Sequence, residues 1–165
     1  MAKKKNWRSV FVFIVCFLLC QAAGAIGSLF TVAAIPTWYA HLAKPTFSPP
    51  NWLFAPVWFL LYTLMAVAIF LLWQAKVGNG QKKQRSLAIT FFIAQLVFNA
   101  CWSIIFFGEH NVSSALIEIV FMLMAIVLTM YFAWPVKKWA TWLLLPYLLW
   151  VMFATILNFV IWRLN

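Results

Sequence analysis

Glu118 is the only acidic residue that falls inside an apolar stretch of this sequence. A charge in hydrocarbon costs about 2.5–3.5 kcal/mol on insertion scales, so such a residue faces protein or water and is a candidate for proton handling. The same carboxyl, protonated or hydrogen-bonded, serves equally to tie helices together. Gln95, Asn99 and Asn158 are the other strongly polar residues deep inside apolar stretches, and interhelical hydrogen bonds account for them without a ligand. Of eleven tryptophans, Trp7, Trp52, Trp73, Trp134, Trp139, Trp142 and Trp162 fall near the ends of apolar stretches, as an interfacial aromatic belt requires. Trp38, Trp58, Trp102 and Trp150 do not, and these four are candidates for holding a ligand. Indole faces joined by a few amide groups suit a large, flat, apolar molecule. His41 and His110 have no partners at ligand spacing and read as surface residues, so no metal is expected. No Gly-rich phosphate loop, nucleophile triad or carboxylate pair occurs, which leaves conventional hydrolase or transferase chemistry without residues to perform it.

The elements that position these residues are apolar helices. At 67% hydrophobic and 8% charged, the 165-residue chain lacks the polar surface that a soluble fold needs. Five stretches are long enough to cross about 30 Å of hydrocarbon, near residues 7–32, 51–74, 86–107, 112–133 and 141–163. The first is too long for a signal-peptide core and carries no convincing cleavage site, so it too reads as a span. The expected fold is therefore an all-α membrane protein, one transmembrane domain over residues 1–165 built as a five-helix bundle. Cys16, Cys20 and Cys101 lie within apolar runs, where a thiol acts as a small hydrophobe. Gly24, Ala25, Gly27 and Ser28 give the first span a face that another helix can approach closely. Pro56 and Pro146 fall inside the second and fifth spans and are expected to kink them.

Charge sets the topology. Lys3, Lys4, Lys5 and Arg8 in the tail, Lys76, Lys82, Lys83 and Arg85 around a Gly78-Asn79-Gly80 turn, and Lys137 and Lys138 all fall on one side. The other side receives only Lys44, Glu109, His110 and Arg163. The positive-inside rule then makes the N-terminus cytoplasmic and the C-terminus extracytoplasmic. The same distribution accounts for the net charge of +10, and no nucleic-acid partner is expected.

Counting about 1.5 Å per residue from the outer helix ends, Trp58 lies about 10 Å deep, Asn99 about 12 Å, Glu118 about 9 Å, Ala154 about 13 Å and Trp150 about 20 Å. Spans two to five thus send polar or aromatic groups into the same half of the bilayer. Above them lies the connector 33–50, the one long interruption between spans. Residues 38–62 hold four of the seven prolines, and Lys44-Pro45 and Ser48-Pro49-Pro50 stiffen the backbone. Ser48 followed by Pro49 reads as an N-cap and first helical residue of the helix that carries Trp58. Such a loop suits a lid over a pocket, and it equally suits an interfacial loop anchored by its own Trp and Tyr.

Three ordered motifs, WYxxLxKPxFxPPxWxFxPVWxxLY (38–62), QLxxNxxWSxxFFG (95–108) and LLPYLxWxxFAxxLNxxIW (144–162), resemble the tryptophan-rich sensory protein, or translocator protein, family (TspO/MBR). The resemblance covers nearly the whole chain. It implies a five-helix bundle, usually a homodimer embedded in membrane lipid, here in a bacterial cell membrane, with a pocket under the first loop. The implied ligands are tetrapyrroles, protoporphyrin IX or haem, bound as ligand rather than as a required cofactor, in a receptor, carrier or sensory role. By motif, Tyr39 and Pro49 correspond to the pocket mouth, Trp58 and Tyr62 to the pocket face of the second helix, and Asn99 and Trp102 to that of the third. Glu118 stands where the family often has aspartate, and Trp150 and Ala154 match ligand-lining positions of the fifth helix. Trp58 and Trp150 also match the tryptophans tied to light-dependent porphyrin breakdown, which gives a second reading as a photo-oxidative enzyme. A third is a small proton-coupled exporter working through Glu118. Sterol binding is not expected, because Phe159 stands where the sterol motif needs tyrosine.

Overall fold

The computed structural model describes the backbone of residues 2–165 and the side chains of residues 7–165. Among the described residues the chain forms six α-helices and no strand: α1 (Ala2–Ala34), α2 (Trp38–His41), α3 (Asn51–Gln74), α4 (Asn79–Ser103), α5 (Val112–Ala133) and α6 (Lys138–Leu164). A π-helical turn, Ile104–Gly108, prolongs α4. Five helical stretches are long and apolar enough to cross a membrane: Trp7–Ala34, Asn51–Gln74, Asn79–Gly108, Val112–Ala133 and Lys138–Leu164. The protein is an all-α, multi-pass membrane protein.

Several boundaries differ from those read in the sequence. Residues 2–8 are not a separate tail but the first turns of α1, and the side chains of Lys3, Lys4 and Lys5 lie outside the described residues. Asn79 and Gly80 open α4, so the basic cluster Lys82, Lys83 and Arg85 is helical and the connector shrinks to residues 75–78. The α3 helix starts at Asn51, with Pro50 as its N-cap at ψ 145°. Ser48 is not the cap: the Pro50 ring disfavours helical backbone at Pro49, and the Ser48 N–H instead closes a turn onto the Pro45 carbonyl at 3.0 Å. Pro56 and Pro146 do lie within continuous helices.

The long helices close a ring in which α1 packs on α3 and α4, α3 on α6, α6 on α5, and α5 on α4. Apolar association contributes little inside a bilayer, so close packing has to hold the ring. Its interior is accordingly rich in small side chains, with Ala66, Ala68, Ala88, Ala115, Ala133 and Ala140 fully buried. Leu18, Leu29, Phe59, Ile117, Phe121 and Leu149 point outward as the lipid-facing surface. At one end of the ring the 35–50 loop, the α4–α5 turn and the C-terminus come together. Trp38 there stacks on His110 at 4.4 Å, and Asn165 bonds Ala43. At the other end Gln81 donates to the Pro135 carbonyl at 2.7 Å and Arg85 to the Ala75 carbonyl at 3.2 Å.

Four contacts fix α1 in the ring. The ring of Tyr62 fills the space a side chain at Gly24 would need. A Cβ at Gly27 would lie 2.8 Å from Ser103 Oγ, and one at Gly108 would lie 2.8 Å from Phe30 Cδ1. Near Gly24, Gln21 Nε2 also donates to Thr63 Oγ1 at 3.2 Å. Gly24→Val is expected to destabilise the bundle by about 1–3 kcal/mol through overpacking against Tyr62. Gly78→Ala, which meets open space, should leave stability unchanged. Denaturant unfolding in detergent micelles measures both, and equal stability of the two variants would dismiss the Gly24–Tyr62 contact as a constraint.

Candidate functional site

A cavity of about 480 Å³ lies inside the ring toward its loop end, and every spanning helix contributes to its wall. That volume lies in the range of sites that bury drug-sized molecules. From α3 come Phe54, Ala55, Trp58, Phe59 and Tyr62, one face repeating every three or four residues. Trp150, Val151, Ala154, Leu157, Asn158 and Ile161 do the same on α6. Trp58 stacks on Tyr62, with ring centroids 5.4 Å apart and planes at 28°, and meets Tyr147 edge-on at 6.3 Å. Trp150 meets Phe54 edge-on at 6.2 Å, and Trp102 stacks on Phe106 at 4.9 Å. Rings in these offset and edge-to-face arrangements hold one another in place, so the aromatic wall is already arranged.

Hydrogen bonds set the depth of the cavity. The Tyr62 hydroxyl donates to Asn99 Oδ1, and Asn99 Nδ2 donates to the Tyr147 hydroxyl at 3.2 Å. Asn99 Nδ2 and the Tyr147 hydroxyl both point at Met122 Sδ, at 3.6 and 3.5 Å. One buried amide therefore links α3, α4, α5 and α6 at the floor. Nearer the loop end, Trp102 Nε1 donates to Asn158 Oδ1 at 3.1 Å, while Asn158 Nδ2 donates to the Val112 carbonyl at 2.9 Å. Among the described residues no charged side chain lines the cavity. It can hold an apolar plane edged by a few hydrogen-bonding groups.

The loop closes the end of the cavity. Tyr39 is buried, its ring packing on Phe106 and Phe107 at 6.2 and 5.7 Å. Lys44 Nζ lies 4.6 Å over that ring and donates to the Tyr39 carbonyl at 2.7 Å. Ala43 and the Asn165 side chain exchange two hydrogen bonds, each of 3.0 Å. Burial pushes the Tyr39 phenol above its ordinary pKa, with the Ser48 hydroxyl pulling against it. A raised phenol means that the neutral form is favoured in the docked loop. That contribution is complete below the ordinary phenol range and is lost as pH rises through the raised value.

Of the residues singled out in the sequence, the structure brings Tyr39, Trp58, Tyr62, Asn99, Trp102, Trp150 and Ala154 to the cavity. Trp38, Pro49 and Glu118 lie outside its lining. On the single turn of α2 the inward position falls to Tyr39, and Trp38, one residue earlier, points to the α4–α5 turn, stacked on His110 and edge-on to Phe106 at 5.5 Å. Pro49 is half-buried in the extended segment before α3. On α5 the inward positions are taken by Ile119 and Met122, and Glu118 is rotated away from them. Glu118 shares the cavity's depth but not its direction. Its carboxylate oxygens are buried without a hydrogen-bond partner among the described residues, as are both polar atoms of Gln95. The expected interhelical bonds form at Asn99 and Asn158, not at these two.

Sequence reasoning missed the α1 wall, to which Gln21, Gly24, Ala25, Gly27, Ser28 and Thr31 contribute. The small-residue face was visible, but only as a surface for helix contact. It also missed Phe54, Phe106, Phe107, Ile119 and Met122, which carry no polar or tryptophan signal.

Comparison with known proteins adds descent to geometry. The model of the TspO/MBR family matches residues 16–163. The tryptophan-rich protein TspO of Archaeoglobus fulgidus is 41% identical over 157 residues, which cover 95% of this chain and 99% of that protein. The tryptophan-rich sensory protein of Cereibacter sphaeroides is 36% identical, covering 93% of this chain and 91% of its own. The human translocator protein is 35% identical, covering 90% and 88%.

The Trp102–Asn158 bond can be weighed directly. Asn158→Leu strands the indole N–H and should cost about 1–3 kcal/mol of stability. Combined with Trp102→Phe in a double-mutant cycle, it should show a coupling of about 0.5–3 kcal/mol in unfolding experiments. Strict additivity would mean that the bond contributes nothing.

Proposed function

The chain belongs to the TspO/MBR family, and from that premise we propose that it is a membrane receptor or carrier for a tetrapyrrole, protoporphyrin IX or haem. The observation that carries this reading is the cavity itself, walled by Trp58, Trp102 and Trp150, with Asn99 and Asn158 as its fixed polar points. A macrocycle stacks on indole faces and needs few hydrogen bonds to orient it. The names of the relatives, sensory protein and translocator protein, support a role in handling a small molecule rather than in conventional catalysis. Lys76, Lys82, Lys83, Lys137 and Lys138 stand at the end opposite the cavity, which supports a cytoplasmic N-terminus and a cavity in the extracytoplasmic half.

One observation favours a second reading, light-dependent breakdown of the bound porphyrin. Trp58 lines the cavity and is stacked on Tyr62, whose hydroxyl is hydrogen-bonded to Asn99. An indole at the ligand with a phenol behind it forms a pair of one-electron donors to a photoexcited ligand, which passes the electron on to dissolved dioxygen, the oxidant that ring opening consumes. Trp150 is a further indole in the same wall. Export coupled to Glu118 finds no support in the lining, from which that carboxyl is missing.

Porphyrin titration of the purified protein in nanodiscs, in darkness and then under light, tests both readings. Ala154→Phe should weaken binding in the dark about tenfold or more by overfilling the cavity. Trp58→Phe should retain binding in the dark but slow the loss of porphyrin absorbance under light. Parent affinity in Ala154→Phe would remove that wall from the site, and a light-driven loss equal in parent and Trp58→Phe would end the second reading.

A further inference from the structure

The loop covers the end of the cavity, and the α1–α3 side of the bundle leaves it open. At the loop end Tyr39 is only 3% exposed, its ring is wedged against Phe106 and Phe107, and the Ala43–Asn165 pair holds the loop down. On the side, by contrast, several residues line the cavity and are also exposed: Ala25, Ser28 and Val32 of α1, and Asn51, Ala55 and Phe59 of α3, with Asn51 at the loop end of the gap. A residue that belongs to both an inner wall and an outer surface marks an opening. The geometry of α1 explains where it falls. The helix meets α3 at Gly24–Tyr62 and Gln21–Thr63, but closer to the loop its tight contacts are to the other side, Gly27 on Ser103 and Phe30 on Gly108. It leans toward α4 and leaves α3. The gap so formed is flanked mainly by small or apolar side chains and leads to walls with no charged residue.

We propose that the cavity receives its ligand sideways from the bilayer, between α1 and α3 at the level of Ala25 and Ala55, and that it selects planar molecules already dissolved in the membrane. The route rests on the tetrapyrrole reading above and adds to it the phase from which the ligand comes. A carboxylate that had to cross this gap would leave water without meeting a compensating charge, so neutral macrocycles pass more readily than their anionic forms.

Stopped-flow quenching of protoporphyrin IX and of its uncharged dimethyl ester in nanodiscs tests the route. Ala25→Trp and Ala55→Trp each narrow the gap from a different helix. Both should slow association by about fivefold or more, because a barrier on the path acts before the ligand is bound, whereas crowding of the cavity wall to which both alanines belong acts mainly on release. Val97→Trp, on the exposed face of α4 away from the cavity, should match the parent. Asn165→Ala, which frees the loop, should leave both rates unchanged, and the ester should associate faster than the acid in every form. If the two plug variants keep parental rates while Asn165→Ala speeds both, the ligand passes under the loop and the lateral route is wrong. If neither porphyrin binds the parent at all, the tetrapyrrole reading falls, and the lateral route with it. Binding with rates indifferent to the plugs overturns the route alone.

Discussion

A single amide holds the interior of this bundle in register. Asn99 is 4% exposed, deep in a helix that crosses the membrane, where water cannot satisfy it. Its carbonyl takes the Tyr62 proton and its amino group serves Tyr147, so three helices must arrive at one point in one rotation. An unsatisfied group there costs about 1–3 kcal/mol, and slippage of any of the three helices would create at least one. In a bilayer, where apolar burial does not drive helices together, such a directional requirement does what a hydrophobic core does in a soluble fold.

The cavity follows from that requirement. Once Tyr62 and Tyr147 are drawn in to Asn99, the residues above them on the same faces, Trp58 on α3 and Trp150, Ala154 and Asn158 on α6, are bound to turn toward the same axis. Small residues on α1 leave room beside them, and Ala154 leaves room between the indoles. The aromatic contacts Trp58–Tyr62, Trp150–Phe54 and Trp102–Phe106 then keep the side chains from collapsing into that room. The protein holds a space open with rings braced against rings.

Most of the fold was legible because spanning helices announce themselves by length and apolarity, and the five helices lie close to where hydropathy put them. Their ends were less legible. Basic residues were read as connector, yet Lys82, Lys83 and Arg85 ride on the first turns of α4, since a helix is free to run on beyond the hydrocarbon. Level along the bundle follows from counting, and Asn99, Trp58 and Trp150, which counting put in the same half of the bundle, line one cavity. Direction does not follow from it. Glu118 and Ile119 are neighbours in sequence and nearly equal in depth, yet only Ile119 reaches the cavity, since one residue turns a helix by about 100°. Hydropathy cannot resolve that angle in a helix that is apolar on all sides. The α1 wall stayed hidden for a related reason: glycine and alanine mark a place where something comes close, without saying whether it is a neighbouring helix or empty space.

The belt of tryptophans described at the start has a mechanical consequence. Trp52 and Trp73 bracket α3, both exposed, about 31 Å apart at helical rise, which matches the hydrocarbon thickness of an ordinary bilayer. Indoles anchored at both interfaces pin that helix to the membrane surfaces, so a thinner or thicker bilayer must tilt it. Both α3 and α1 wall the cavity, and a tilt of one against the other alters the width between them. Lipid composition therefore becomes a variable of the site, and two membranes with the same protein and the same ligand would present differently shaped pockets.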